Sequence, residues 1–114
     1  MTSFEDVRRI ALALPEAEEK LTWETDITFR VRDKIFVVMG PDGGGASVKA
    51  SLEAQHALVA SDPETFMMPG ESDLRFQWAE ARMAKLEFEE MRDLVIYAWS
   101  MCVPKYVWEP YVVR

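Results

Sequence analysis

Apolar residues recur at three- and four-residue steps at the start of the chain. Phe4, Val7, Ile10, Ala11 and Leu14 share one face of a helix predicted over residues 3–14, with Arg8 and Arg9 off that stripe. Ser3 with Asp6, or Thr2 with Glu5, forms a capping-box start. Pro15 stops the helix, because the residue before a proline avoids the α region. The period then changes to two. Residues 16–23 are polar, with Ala17, Leu21 and Trp23 placed to face inward, as in an edge strand. Ile27, Phe29 and Val31 then alternate with Thr28, Arg30 and Arg32. Asp33-Lys34 reads as a two-residue hairpin loop, although it lacks the glycine that such turns favour, and residues 35–39 return as a more buried strand. Residues 40–45 are a turn by composition, and residues 46–50 form a further strand centred on Val48.

Ser51 is placed to cap a second helix over residues 52–60, with Leu52, Gln55 or His56, and Val59 on its inner face. Asp62-Pro63 opens a further helical turn, with proline at its first position. Residues 65–73 read as irregular and are broken by Pro69-Gly70. Residues 74–85 are strand-like. Phe88, Met91, Leu94, Val95, Ala98, Met101 and Cys102 make a wide apolar stripe on a last helix over residues 87–101, ended by Pro104. An aromatic, β-branched segment from Tyr106 to Arg114 reads as extended. Hairpin-linked strands and one-sided helices predict an α+β fold: a two-layer arrangement of antiparallel sheet with helices on one face.

The length of 114 residues suits one domain, read as spanning 1–114 with 106–114 as an aromatic C-terminal extension. A hydrophobic fraction of 49% excludes a disordered chain. Twenty Asp and Glu against thirteen Lys and Arg leave a formal charge of −7, which repels phosphate at long range. A single cysteine, Cys102, allows no intrachain disulfide and suits a reducing compartment. The N-terminus lacks the basic and apolar stretches of a signal peptide, and the apolar runs are too short to cross a membrane, so a cytoplasmic location is expected.

The composition predicts no catalytic residues, no metal and no cofactor. One His and one Cys cannot build a usual structural zinc site. Gly43-Gly44-Gly45 is not followed by the Lys-Ser/Thr that opens a phosphate-binding helix. No serine sits in a nucleophile elbow, and Cys102 lies on an apolar stripe. The acids Glu16, Glu18 and Glu19, and Glu87, Glu89 and Glu90, read as solvated or dipole-favoured faces. The bases are grouped instead. Arg30, Arg32 and Lys34 fall in the hairpin, with Arg30 and Arg32 expected on one strand face; Lys49 is in the next strand and Lys105 follows the last helix. On an uncovered sheet face these would form an anion-binding patch. A solvated sheet row, neutralised by Glu24, Asp26 and Asp33, explains the same residues. Tyr106, Trp108 and Tyr111 either cover a sheet edge or form an interface, where aromatics are enriched.

Four stretches in succession resemble the MmcQ/YjbR family. These are Ala11-Leu12-Ala13-Leu14-Pro15-Glu16-Ala17; Trp23 followed by Thr28-Phe29-Arg30-Val31-Arg32-Asp33-Lys34-Ile35-Phe36; Ser47-Val48-Lys49 with the later Asp62-Pro63-Glu64-Thr65-Phe66; and Ala98-Trp99-Ser100-Met101-Cys102-Val103-Pro104-Lys105. The resemblance implies an α-β(3)-α-β(2)-α fold shared with secretion-chaperone-like domains. It also implies a DNA-binding role through the sheet and its hairpins, and it brings no catalytic residue or cofactor. Arg30, Lys34, Lys49 and Lys105 are the polar positions that match the family's motifs. Two functions are therefore expected: DNA binding through Arg30, Arg32, Lys34, Lys49 and Lys105, or a protein-interaction or homodimerisation module with no nucleic-acid role.

Overall fold

Helix α1, Phe4–Leu12, begins at a Ser3 N-cap whose side chain accepts from the Asp6 N–H, while the Asp6 carboxylate accepts from the Ser3 N–H. This reciprocal bonding satisfies two of the donors that a helix start leaves open. Val7, Ile10 and Ala11 are its buried face, as their spacing requires. The computed structural model describes residues 2–22, 26–40, 45–67 and 77–111. Beyond α1 the chain forms β1 (Glu18–Thr22), β2 (Asp26–Val31), β3 (Lys34–Met39), β4 (Gly45–Lys49), α2 (Leu52–Ser61), β5 (Phe66–Met67), β6 (Trp78–Arg82), α3 (Phe88–Ser100) and a short α4 (Lys105–Trp108). Single 3-10 turns at Met83–Lys85 and Glu109–Tyr111 follow β6 and α4. The expected readings at Trp23, Glu24, Gly43, Gly44 and Pro69-Gly70 lie outside the described residues.

The sheet is antiparallel throughout, in the order β1-β2-β3-β4-β6-β5. Four strands precede α2, one more than the resemblance implies. Its register separates two faces. Leu21, Ile27, Met39, Ala46, Ala81 and Phe66 lie in one cross-strand row, and Phe29, Val37, Val48 and Ala79 in the next. These rows carry the core, in which Phe29 and Val37 are fully buried. Each such side chain contributes about 1.5–3 kcal/mol on leaving water. The pairing skips Phe36 at a bulge, so β3 buries Phe36 and Val37 in succession. Helices α1, α2 and α3 all cover this face. Arg8 of α1 reaches Glu19, α3 packs on β3 and β4, and α2 packs on β5 and β6.

Several expectations are corrected. The hairpin loop is Arg32-Asp33, not Asp33-Lys34, and both residues have positive φ, 51° and 65°, as a type I′ turn demands. Arg32 therefore stands in the turn and does not share the strand face of Arg30. Leu21 and Leu52, expected inside, are 63% and 49% exposed, because β1 is an outer strand and α2 turns Gln55 inward instead. The helical turn expected after Asp62-Pro63 is present as a single turn, in which the Thr65 and Phe66 N–H groups donate to the Asp62 carbonyl. Asp62 closes α2, and its carboxylate accepts from the Thr65 hydroxyl in a turn leading into β5. The expected irregular stretch contains that two-residue strand. The strand expected over 74–85 is described only at Trp78–Arg82, followed by a 3-10 turn. Lys105–Trp108 and Glu109–Tyr111 are helical where the pattern predicts an extended segment. Pro104 starts α4, and Tyr111 meets Trp99 edge-on at 5.3 Å.

Both edges of the sheet resist further strand addition. β1 carries Glu18, Glu19 and Lys20, and β5 is only two residues long.

Candidate functional site

The face opposite the helices carries a mostly polar row across the six strands: Lys20, Thr28, Val38, Ser47, Glu80 and Met67. No described helix packs on it. The next row runs Glu18, Arg30 and Ile35, with Lys49 and Trp78 paired beyond it. Arg30 and Lys49 thus point from the same face with one strand between them. Thr28 is fully buried within this face. Its hydroxyl donates to the Lys20 carbonyl at 3.1 Å and accepts from Arg30 Nε at 3.1 Å, which holds the guanidinium along the sheet. Lys49 Nζ lies 5.5 Å from the centroid of the half-buried Trp78 ring, a cation–π arrangement. At the far end, Gly45, Ser47, Met67, Glu80 and Arg82 line a concavity of about 260 Å³.

The five basic candidates divide. Arg30 and Lys49 share the open face. Lys34 is exposed at the first position of β3, beside the turn. Arg32 is held by the Glu16 carboxylate through Nε at 3.0 Å and Nη2 at 3.1 Å, with the Tyr106 hydroxyl oxygen as a further neighbour. Those hydrogen bonds hold the Glu16 carboxyl below its ordinary range and raise the guanidinium's. Lys105 pairs with Glu109 at 3.7 Å, one helical turn on. Among the acids, Glu18 is the register partner of Arg30 on the open face.

The aromatic candidates also divide. Tyr106 is 76% exposed, Tyr111 is 46% exposed although its ring edge meets Trp99, and Trp108 is half-buried against the core. Several side chains with reactive potential are occupied by structure. Cys102 is buried, and burial raises its thiol pKa, so it stays protonated. Ser3 and Ser51 cap helices, while Ser61 and Ser100 donate to carbonyls three residues back. His56 is exposed on α2, on the side of the sheet opposite Lys49. Among the described residues no cluster of His, Cys, Asp and Glu is placed to hold a metal ion, and no helix is long and apolar enough to cross a membrane.

Two features escaped the sequence. One is the stacking of Lys49 on Trp78, since only the β4–β6 crossover register makes them neighbours. The other is an open groove of about 560 Å³ between α2 and α3. Its sequence signal was available: α2 lacks the one-sided polarity of a surface helix.

The family model described as YjbR matches residues 12–101. No curated protein matches the sequence. Among solved structures, the fold is similar to the crystal structure of Deinococcus radiodurans protein DR2400, a DUF419 protein, with a TM-score of 0.77 at 17% identity over 89% of this chain and 78% of that one. At that identity the likeness extends to the fold, and it is the same helix-backed antiparallel sheet. With the family pattern running from α1 to the end of α3, the chain belongs to the YjbR family.

Proposed function

We propose that this chain is a binding domain that takes the phosphate backbone of DNA on its open sheet face. The contacts are Arg30 and Lys49, with Lys34 at the neighbouring hairpin. One observation carries this: two cationic side chains stand one strand apart on the face that the described helices leave clear, with Trp78 beside Lys49. Arg32 stands in the hairpin turn and Lys105 on α4, so neither belongs to that row. With so few phosphates neutralised and a net charge of −7, affinity is low and falls steeply with salt, by roughly 0.9 log units per phosphate for each tenfold rise in salt. Fluorescence anisotropy of a labelled duplex over a salt series tests it. Lys49→Gln should weaken binding and lower the salt slope by about 1. No binding at roughly tens of micromolar protein in low salt ends the proposal.

A second function, self-association or protein binding through the C-terminal segment, rests on Tyr106, whose ring is 76% exposed next to the Arg32 turn. Light scattering over a concentration series should show a mass above the monomer that Tyr106→Ala reduces. A monomer at every concentration argues against self-association.

A further inference from the structure

Helix α2, LEAQHALVAS, has no single apolar stripe: Glu53, Gln55, His56 and Ser61 are spread around it among six apolar residues. Here Gln55 is its one fully buried residue, and Ala57 and Leu52 are exposed. Of these two, Ala57 belongs to the groove against α3, whereas Leu52 lies on another side of the helix. Leu58, Phe66 and Leu94 line that groove, and Glu90 and Asp93 stand on its α3 side.

The rim decides what kind of molecule fits. Within their bounds α2 and α3 carry Glu53, Glu89, Glu90 and Asp93 against one base, Arg92, which is already paired with Glu89. A second copy of this chain, at −7, would bring like charge to an acidic rim. A helix with a leucine-type stripe flanked by lysine or arginine would bury its stripe in the groove and place its cations at Glu90 and Asp93. The small side chain of Ala57 lets a helix backbone approach closely. We propose that the α2/α3 groove is a docking site for a basic amphipathic helix of a partner protein, on the side of the sheet opposite Arg30 and Lys49.

The probe is a fluorescein-labelled synthetic helix of about 14 residues, roughly four turns, with leucines on one stripe and lysines beside it. Its controls are the same peptide with glutamate for lysine and a scrambled version. Anisotropy should show the basic helix binding at least about tenfold more tightly than either control. Ala57→Trp, which fills the groove from an exposed position, and Asp93→Lys, which reverses the rim, should each weaken binding roughly tenfold, whereas Lys49→Gln should not. Circular dichroism confirms that both groove variants are folded. Equal binding of basic and scrambled peptides overturns the proposal, as does binding insensitive to both groove variants. A concentration-dependent dimer abolished by Ala57→Trp also overturns it, and assigns the groove to a second copy.

Discussion

Trp99 sits where three parts of the chain meet. It is fully buried on α3, its Nε1–H donates to the Pro15 carbonyl at 3.2 Å, and the Tyr111 ring meets it at 76°. A single side chain thus fixes the end of the first helical segment and the C-terminal turn against the last long helix. Trp99→Ala should cost about 3–5 kcal/mol, because it removes the ring's burial and leaves a cavity. Trp99→Phe keeps most of the volume but leaves the Pro15 carbonyl without its donor, so it should cost about 1–3 kcal/mol. Urea denaturation reads both as a fall in midpoint, and equal midpoints for the two variants would refute this division. Gln55 poses a different case at the same scale. Its Nε2 donates to the Ala50 carbonyl at 2.8 Å, but its buried Oε1 has no hydrogen-bond partner among the described residues. The bond to Ala50 holds the end of β4 against the first turn of α2.

At the scale of elements, what was legible followed periodicity. The stripe of α1 and the alternation Ile27, Phe29, Val31 both became core faces, because burial on one side leaves a period that composition cannot hide. The β2–β3 turn lies one residue before the position its pattern predicts, because neither Arg32 nor Asp33 is the glycine that a turn with two positive φ values favours. Arg32 tolerates the position with its guanidinium tied to Glu16, itself at φ 64°, so a tertiary ion pair joins two strained turns that local sequence cannot connect. The uncovered side of α2 carries only a weak sequence signal, the lack of one-sided polarity in the helix. The turn makes a test of its own. Asp33→Gly should stabilise by up to about 1 kcal/mol, because glycine accepts φ near 65° without penalty. Asp33→Val should destabilise, since a β-branched residue resists that region. A midpoint order other than Gly above Asp above Val would show that the turn is not held as described.

For the whole molecule, charge is arranged by face as well as by total. The acids tie the layers together at the helix side: Arg8 clasps Glu19 through two bonds of 2.6 Å, joining α1 to the outer strand, and Arg32 clasps Glu16. Hydrogen bonds from those arginines hold both carboxyls below their ordinary value of 4.5, and bonds donated by Ser3 and Thr65 hold Asp6 and Asp62 below theirs of 3.8. A carboxyl with a folded-state pKa below its unfolded one contributes stability that is complete above the unfolded value and is lost as pH falls through the folded value. The acid limb of stability therefore begins below about pH 4.5. Above it, a net charge of −7 at neutrality is partly relieved as pH drops toward the isoelectric point near 4.7, so stability should stay level or rise slightly between pH 7 and 5 before it falls. Denaturation midpoints measured from pH 7 to 3 check the shape. The variant carrying Glu16→Gln and Glu19→Gln should be less stable than the parent at pH 7, and the gap should narrow as pH falls through the lowered folded-state values of the parent's Glu16 and Glu19. Parallel curves across the whole range would mean that these two pairs hold nothing together, and that the layers rest on the apolar core alone.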